Sequence, residues 1–476
     1  MKKIDMIIRG GHLYTMTGTG VGYQQASSLA VDSGRILAIA PDAEITRDYA
    51  AEQVIDARDK MILPGFIDAH IHARHAVLRG VAQDLRLESW MMEGMAPFEI
   101  HCGARDRAAG SRLAIAESIM NGVTTIGDDG PDMEEAILAI REMGARGHIS
   151  VRIRDVELRA YRPQELYPFD AATGERSLSD CLRLYDRYNN DDGGRIRIHF
   201  GPQGADFVSQ PLLMKVKELA RQRGAKIHMH LQQGRREAGQ MMMRYGQRTI
   251  PWLAQLDYFD SDFIGIHLAD ATDDEVRLVA ASGASMVVCS NSIAIIRGEV
   301  PPALLFMEQG GRVALGTDQA PGNNCHNMFG EMKQTALLNK IKYHDPQLLP
   351  AWKALRMATI EGAQVLGIDD VAGSLEIGKD ADVIIVSLRH PSMCPVYTYP
   401  LRNLIPNLVY SASGKEVDTV IVKGRVLMQE RRPLTFDLEE IMDEAQRCAG
   451  ILGARAAEQF LTLDGANAGY MRENKL

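Results

Sequence analysis

The sequence predicts an α/β fold, a (β/α)8 TIM-type barrel with a small β-sandwich domain built from both chain ends. Three observations predict it. Through the middle of the chain, short apolar β-rich runs alternate with longer helical stretches, the pattern of a parallel sheet covered by helices. At both ends the strand signals continue without long amphipathic helices, so two all-β segments can pair into one small domain. His72, His230, His267 and Asp318 each fall at the C-terminal end of a predicted strand, the end at which such barrels carry their active sites.

The N-terminal strand signals are 6–8 before Gly10-Gly11, 28–31 before Asp32-Ser33-Gly34, 36–40, and 54–55 before Asp56. They return at 381–386 (ADVIIV), at 417–422 (VDTVIV) and, after Lys423-Gly424-Arg425, at 426–428. Between them the predicted barrel strands are 66–72, 123–127, 149–153, 196–200, 227–230, 263–267, 285–289 and 313–317. Helices are expected between them, for example over 105–120, 133–143, 211–223 and 273–281, each stopping near a glycine or asparagine. The implied division is 1–62 and 373–433 for the two parts of the β-sandwich, 63–372 for the barrel, and 434–476 for a helical tail. Helical periodicity over 438–461 suits packing on a sister subunit or on the chain's own barrel, and a homodimer or higher homo-oligomer is expected.

Composition narrows the function. The 476 residues exceed what one small core needs, and 46% hydrophobic with 24% charged residues is a globular balance. A net charge of -9 supplies no field that gathers nucleic acid or an anionic membrane, which leaves a small molecule as the expected partner. Six cysteines lie far apart with no CxxC pair, as in a reducing compartment. No run approaches the ~20 apolar residues that span a bilayer, so the expected location is cytoplasmic.

Alternate residues of a strand point to one side, so His70 and His72 in DAHIH can aim both imidazoles at one point in the barrel mouth. A third imidazole from another strand and a carboxylate from the last would complete a site for Zn or Fe(II) with room for a reactive water. Such an ion lowers the pKa of its bound water to about 7. Taken singly, an HxH pair is more often a surface pair, Asp318 a helix cap and His267 a satisfied core histidine. Their common position at strand ends, among only thirteen histidines, favours the shared site.

The LPGFIDAHIH, HMHL, IGIHLAD and VALGTD strands and the closing GSLEIGKDADVIIV resemble the amidohydrolase superfamily, above all its branch of amino-heterocycle deaminases and triazine or related urea-herbicide hydrolases. LRHPSMCP and GKEVDTVIVKGRVLMQERRPL look like the triazine hydrolase and melamine deaminase members. The resemblance covers nearly the whole chain. It implies one divalent metal, zinc ahead of iron or cobalt, held by His70, His72, His230 and Asp318, with His267 beside the bound water. Two-metal members carry a lysine at the end of strand four, and RIRIHFGPQGAD has none.

One position departs from the family. Deaminase members place a glutamate three residues after the strand-five histidine, and this chain has Gln233, which hydrogen-bonds but does not shuttle a proton. Asp318 and His267 are the remaining proton carriers, and they suffice where the electrophile is a carbonyl polarised by the metal. The expected reaction is therefore C–N hydrolysis of a largely uncharged, xenobiotic-like urea, carbamate, thiocarbamate or amide. The alternative is deamination or dechlorination of a triazine, purine or pterin. A third reading, a non-catalytic binder, is disfavoured because a binder needs no open-coordinated ion. Glu237 reads as a capping or solvated carboxylate rather than a substitute shuttle. The pocket is expected from loops that carry Trp90, Met92, Gln203, Gln233 and Asn323, with His75, Arg79, Asn291 and Gln319 around them.

Overall fold

The computed structural model describes residues 1–157, 161, 165–463 and 465–476. Eight strands in chain order form one parallel sheet: β1 Phe66–Ile71, β2 Val123–Gly130, β3 Arg146–Ile153, β4 Ile196–Pro202, β5 Ile227–Leu231, β6 Phe263–His267, β7 Ser285–Val288 and β8 Arg312–Leu315. Every residue of β1, β2, β6 and β7 is buried, as a sheet covered on both faces requires. The predicted starts at 149 and 313 fall short of the observed Arg146 and Arg312, because arginine at a strand entrance carries no apolar signal. β8 also ends two residues earlier than 317, which frees Thr317 and Asp318 to leave the strand at the barrel mouth.

The barrel closes between β1 and β8 through a single bridge, Ile71 to Asp318. His72 N–H donates to Asp318 O at 3.1 Å, and Asp318 N–H donates to His70 O at 2.9 Å. A side chain at Gly316 would put its Cβ 2.8 Å from His70 O, so glycine is what lets the last strand come this close to the first. Closure and the metal-ligating residue types thus share the same few peptide units.

A second, nine-stranded mixed sheet joins the two chain ends. Its seam is Lys60–Pro64, which pairs in parallel with Lys2–Tyr14 and antiparallel with Val383–Ser387. From Pro64 the chain passes through Gly65 directly into β1. Arg146, fully buried at the entrance of β3, donates to Asp380 at 2.9 Å and to Asp382 at 3.0 Å, tying the barrel to the returning segment.

Between β1 and β2 the chain makes short turns of helix, Ala73–Leu78, Leu87–Ser89, the π-helical Trp90–Met95 and Ala96–Glu99. The long helix Leu438–Thr462 lies on this layer: Cys448, Leu452, Ala456 and Phe460 share a core with Leu78, Leu87, Trp90 and Phe98. The tail therefore packs on its own chain and backs one wall of the barrel mouth. Among the described residues no helix is long and apolar enough to cross a membrane.

Candidate metal centre and substrate pocket

Four imidazoles and one carboxylate meet at the C-terminal mouth of the barrel. His70 comes from β1 and His72 from just beyond it, His230 from β5, His267 from the end of β6 and Asp318 from just beyond β8. The register pairs His230 with Ile266 and Leu231 with His267, which sets the two imidazoles side by side, ring centroids 5.5 Å apart. The His70 ring lies 4.7 Å from that of His72 and 5.0 Å from that of His230. Asp318 Oδ1 is 3.5 Å from His72 Nε2 and 3.8 Å from His70 Nε2, and Asp318 Oδ2 is 4.0 Å from His267 Nε2. These are separations expected of donor atoms that each stand about 2 Å from one ion.

The hydrogen bonds decide which atoms face inward. His72 Nδ1 lies 2.7 Å from Asp129 O, a carbonyl that can only accept, so the proton sits on Nδ1 and the Nε2 lone pair is free. His70 Nδ1 is 2.8 Å from His228 Nε2, an arrangement that likewise leaves His70 Nε2 as the free donor atom. Ser292 Oγ donates to Asp318 Oδ2 at 2.6 Å and leaves Oδ1 to the cluster. His70 Nε2, His267 Nε2 and Asp318 Oδ1 are buried without any protein partner. Unpartnered buried polar atoms cost about 1–3 kcal/mol each, and several converging on one point fit a bound cation.

Burial pushes the pKa values of His70, His72 and His230 well below the ordinary imidazole range and that of His267 down to about 3, so the rings are neutral and keep a lone pair. Burial likewise raises the Asp318 carboxyl to about 6, against the hydrogen bond from Ser292. His267 and Asp318 both sit in the left-handed region, at φ 77° and 60°. Strain of that kind is held in place by surrounding structure and clusters at functional sites. Part of what holds it is Asp68, buried beneath the site, which accepts from Thr317 N–H at 2.9 Å and from Thr317 Oγ1 at 2.6 Å.

The cavity above the cluster, about 140 Å³, is lined by His72, His230, Gln203, Gln233, Trp90 and Gln319, with Met91, Met95 and His75 beside them. Trp90, Gln203 and Gln233 are thus brought together as expected from the sequence. Met92 is not: it is 40% exposed, and its neighbours Met91 and Met95 face the cavity instead. The π-helical turn rotates it outward. Asn323 is buried behind the wall, where its side-chain amide donates to Thr317 O at 2.7 Å. Arg79 pairs with Glu117 and the backbone of Asn324 outside this cavity. Glu237 is neither solvated nor free to swing in, because its carboxylate accepts from the N–H groups of Gln232 and Gln233, both at 3.0 Å, and from Thr249 Oγ1 at 2.7 Å. It holds the loop that presents Gln233.

Four charged pocket residues escaped the sequence reading, Arg74, Glu99, Arg152 and Arg236, as did the apolar Leu87, Met95 and Phe207. Arg152 had a signal, the RIR of Arg152-Ile153-Arg154 at a strand end, where alternation puts both arginines on the face that carries His148 and Ser150 into the barrel. Arg74, Glu99 and Arg236 lie on helical turns, where a charged residue reads as solvent-facing.

Comparison with known proteins places this geometry. The model of the amidohydrolase family matches residues 61–427. A 5'-deoxyadenosine deaminase of Methanosarcina mazei is 32% identical over 451 residues, which cover 95% of this chain and 99% of that protein. The zinc-bound structure of an adenosine deaminase from Xanthomonas campestris superposes with a TM-score of 0.87 at 26% identity, covering 95% of this chain and 99% of that one. A zinc-complexed atrazine chlorohydrolase from Arthrobacter aurescens TC1 shares the fold, with a TM-score of 0.82 at 22% identity over 93% of this chain and 100% of that one. Zinc in the adenosine deaminase structure and the convergent donor atoms here support a divalent metal. The expectation of urea, carbamate or amide hydrolysis, and of a xenobiotic-like substrate, is overturned by the relatives, which are nucleoside deaminases: Gln233 alone was too little to set against a likeness over the whole chain. A hydrolase of non-peptide C–N bonds, built on a parallel barrel whose mouth gathers four histidines and an aspartate, the chain belongs to the amidohydrolase family.

Proposed function

We propose that the protein hydrolytically deaminates an amino-substituted purine of the nucleoside type, using one zinc ion held by His70, His72, His230 and Asp318. The observation that carries the reading is the set of buried, unpartnered donor atoms converging at the barrel mouth of a chain whose relatives deaminate adenine nucleosides. When bound, the metal supplies Lewis acidity that makes water a nucleophile at neutral pH. The chain's own residues must move the protons. Water adds to the ring carbon that bears the amine, and its protons finish on a ring nitrogen and on the departing ammonia.

Asp318 takes the first proton, its Oδ2 held in place by the hydrogen bond from Ser292 Oγ. His267, neutral and unpartnered, stands 4.0 Å from Asp318 to orient the nucleophile and receive a hydrogen bond as the adduct forms. Gln233 borders the cavity and donates its side-chain amide to the ring without supplying a proton. Trp90 and Met91 give the heterocycle an apolar wall. The test is ammonia release from 5'-substituted adenosines and other amino-purines by zinc-loaded protein, with and without chelator. Chelator-sensitive release is expected; no release from any amino-purine overturns the reading.

A further inference from the structure

The two peptide units that flank Thr317 are both pinned. Asp68 Oδ1 accepts from Thr317 N–H at 2.9 Å, Asn323 donates its side-chain amide to Thr317 O at 2.7 Å, and Asp318 N–H donates to His70 O at 2.9 Å. Asp318 itself sits at φ 60°, so a backbone conformation that L residues rarely adopt carries its carboxylate into the metal centre. Side chains reinforce this grip from beneath. Thr317 Oγ1 stands 2.6 Å from Asp68 Oδ2 and 3.0 Å from His326 Nδ1, and all three residues are fully buried.

His326 reaches Thr317 from the far end of the loop that follows Asp318. The chain makes one helical turn, Ala320–Asn323, and comes back so that Asn323 and His326 both close on Thr317. Asn121, at the end of the helix Ala104–Met120, holds the His326 backbone through a hydrogen bond to its C=O at 3.4 Å. Burial takes the His326 imidazole down to about 4, so the ring is neutral and carries a single N–H. Thr317 gives its hydroxyl proton to Asp68, so its oxygen accepts from His326, which places that N–H on Nδ1. Nε2 is left buried without a partner, at a cost of about 1–3 kcal/mol. A leucine would fill the same space without that cost. What the imidazole adds is one side-chain hydrogen bond, and that bond ends on the residue next to Asp318.

We propose that His326 is a positioning residue for Asp318: with Asp68 it locks Thr317, and so fixes the direction from which the Asp318 carboxylate meets the metal and the attacking water. It acts through Thr317 and not on the reacting groups. The proposal rests on the reading of Asp318 as a metal ligand. Removing a partner that orients a ligand typically costs 10- to 100-fold in metal affinity or activity. A misplacement of about 1 Å in a catalytic group can cost 10²-fold in rate.

Variants of the full chain test this linkage. His326→Leu keeps the volume and loses the donor, His326→Asn returns an amide N–H to the place of Nδ1, and Thr317→Val keeps the shape and loses the hydroxyl. A double variant combines His326→Leu with Thr317→Val. Zinc affinity is read by competition with a chelating dye. His326→Leu and Thr317→Val are each expected to bind zinc roughly 10- to 100-fold more weakly, and His326→Asn to stay within about threefold of the parent. The double variant should be no weaker than the worse single one, because both changes break the same linkage. With zinc saturating, kcat for ammonia release should fall while KM holds. Packing alone predicts otherwise: asparagine failing along with leucine, or effects that add in the double variant, overturns the proposal, as does parental zinc affinity in both singles. If His326→Leu does not fold, weak zinc binding by Thr317→Val beside near-parental binding by His326→Asn supports the role, and any other pairing overturns it. Zinc lost in Asp318→Asn but kept in both singles sinks the positioning role alone. Zinc kept in Asp318→Asn, or no zinc uptake by the parent, sinks the metal reading and the proposal with it.

Discussion

The two walls of the barrel mouth are built on opposite electrostatic plans. On the β1, β5, β6 and β8 side, the histidines and the carboxyls behind them are driven toward their neutral forms by burial: the imidazoles fall below their usual range, and the carboxyls rise, Asp318 to about 6, Asp68 to about 7 and Glu331 to about 8. On the side lined by Arg74 and Arg152, cationic side chains hold an acid down. Burial there pushes Glu99 up, but His75 and Arg74 overcome it and bring the carboxyl to about 2. A neutral, lone-pair-rich wall is suited to grip a cation and manage protons, whereas the cationic wall is held together by its own ion pairs. Desolvation dominates the first wall, and ion pairing the second.

Breaking the neutral wall should produce the largest effect. His70→Ala and Asp318→Asn each remove a converging donor atom, and turnover is expected to fall roughly 10³-fold or more with loss of bound metal. Metal analysis of the purified variants beside steady-state ammonia release checks both halves. Full metal content with unchanged turnover in either variant would break the assignment of this wall to metal binding.

The next effect in size concerns Gln233, the one place where the neutral wall lacks a proton carrier. If proton delivery to the ring limits the rate, Gln233→Glu should raise kcat on an amino-purine, by roughly 10²-fold at the lower end of what general acid–base catalysis contributes. Its kcat–pH profile should acquire a new ionisation. Glu237 already anchors this loop through two backbone N–H groups, so the introduced glutamate inherits a fixed backbone. No gain would mean that Asp318 and His267 already complete the transfer.

How far this contrast could be read from the sequence follows from the same physics. Strands of the neutral wall are apolar runs ended by histidine or aspartate, and both signals survive in one dimension: His70, His72, His230, His267 and Asp318 were all visible as strand-end residues. The seam at Lys60–Pro64 was not, because a short strand next to β1 merges with it in hydrophobicity, and only its pairing with Val383–Ser387 separates the two. The cationic wall was almost illegible. Arginine at the mouth of a strand or on a short helical turn carries the same sequence signal whether it faces water or a cavity, and what decides is a loop packing over it. Met92 fails for the same reason from the other direction, since an apolar residue in a loop signals burial but not which side of a turn it takes.

A smaller effect, on stability, sharpens the claim that burial dominates the neutral wall. Glu331 is buried, its Oε2 lacks a partner, and its other oxygen accepts from Ser290 N–H. Its folded pKa of about 8 lies above the ordinary glutamate value of 4.5 that the unfolded chain keeps. The folded state therefore binds the proton more tightly, and the stability tied to it is full below pH 4.5 and is lost as pH rises through about 8. Glu331→Gln removes that dependence. Relative to the parent, the variant should gain on the order of 1–3 kcal/mol between pH 5 and pH 8, read from denaturant unfolding at both pH values. A constant difference between the two would show that hydrogen bonding, not desolvation, sets this carboxyl.

The smallest expected effect isolates the packing that neither wall's charges explain. Met91 faces the substrate cavity and Met92, one residue on, is 40% exposed, so the pair compares lining with mere proximity on one turn of chain. Truncating Met91 to alanine removes apolar contact with a bound ring, about 1 kcal/mol or roughly fivefold in KM with little change in kcat, because contact made equally in ground and transition states lowers KM alone. Truncating Met92 should stay within ~0.5 kcal/mol for both binding and stability, as at other exposed positions. Equal effects at the two positions would mean that the turn from Trp90 to Met95 rearranges when substrate binds. The helix Leu438–Thr462 makes that rearrangement costly, since it packs on the same layer through Leu452 and Phe460 and would have to move with it.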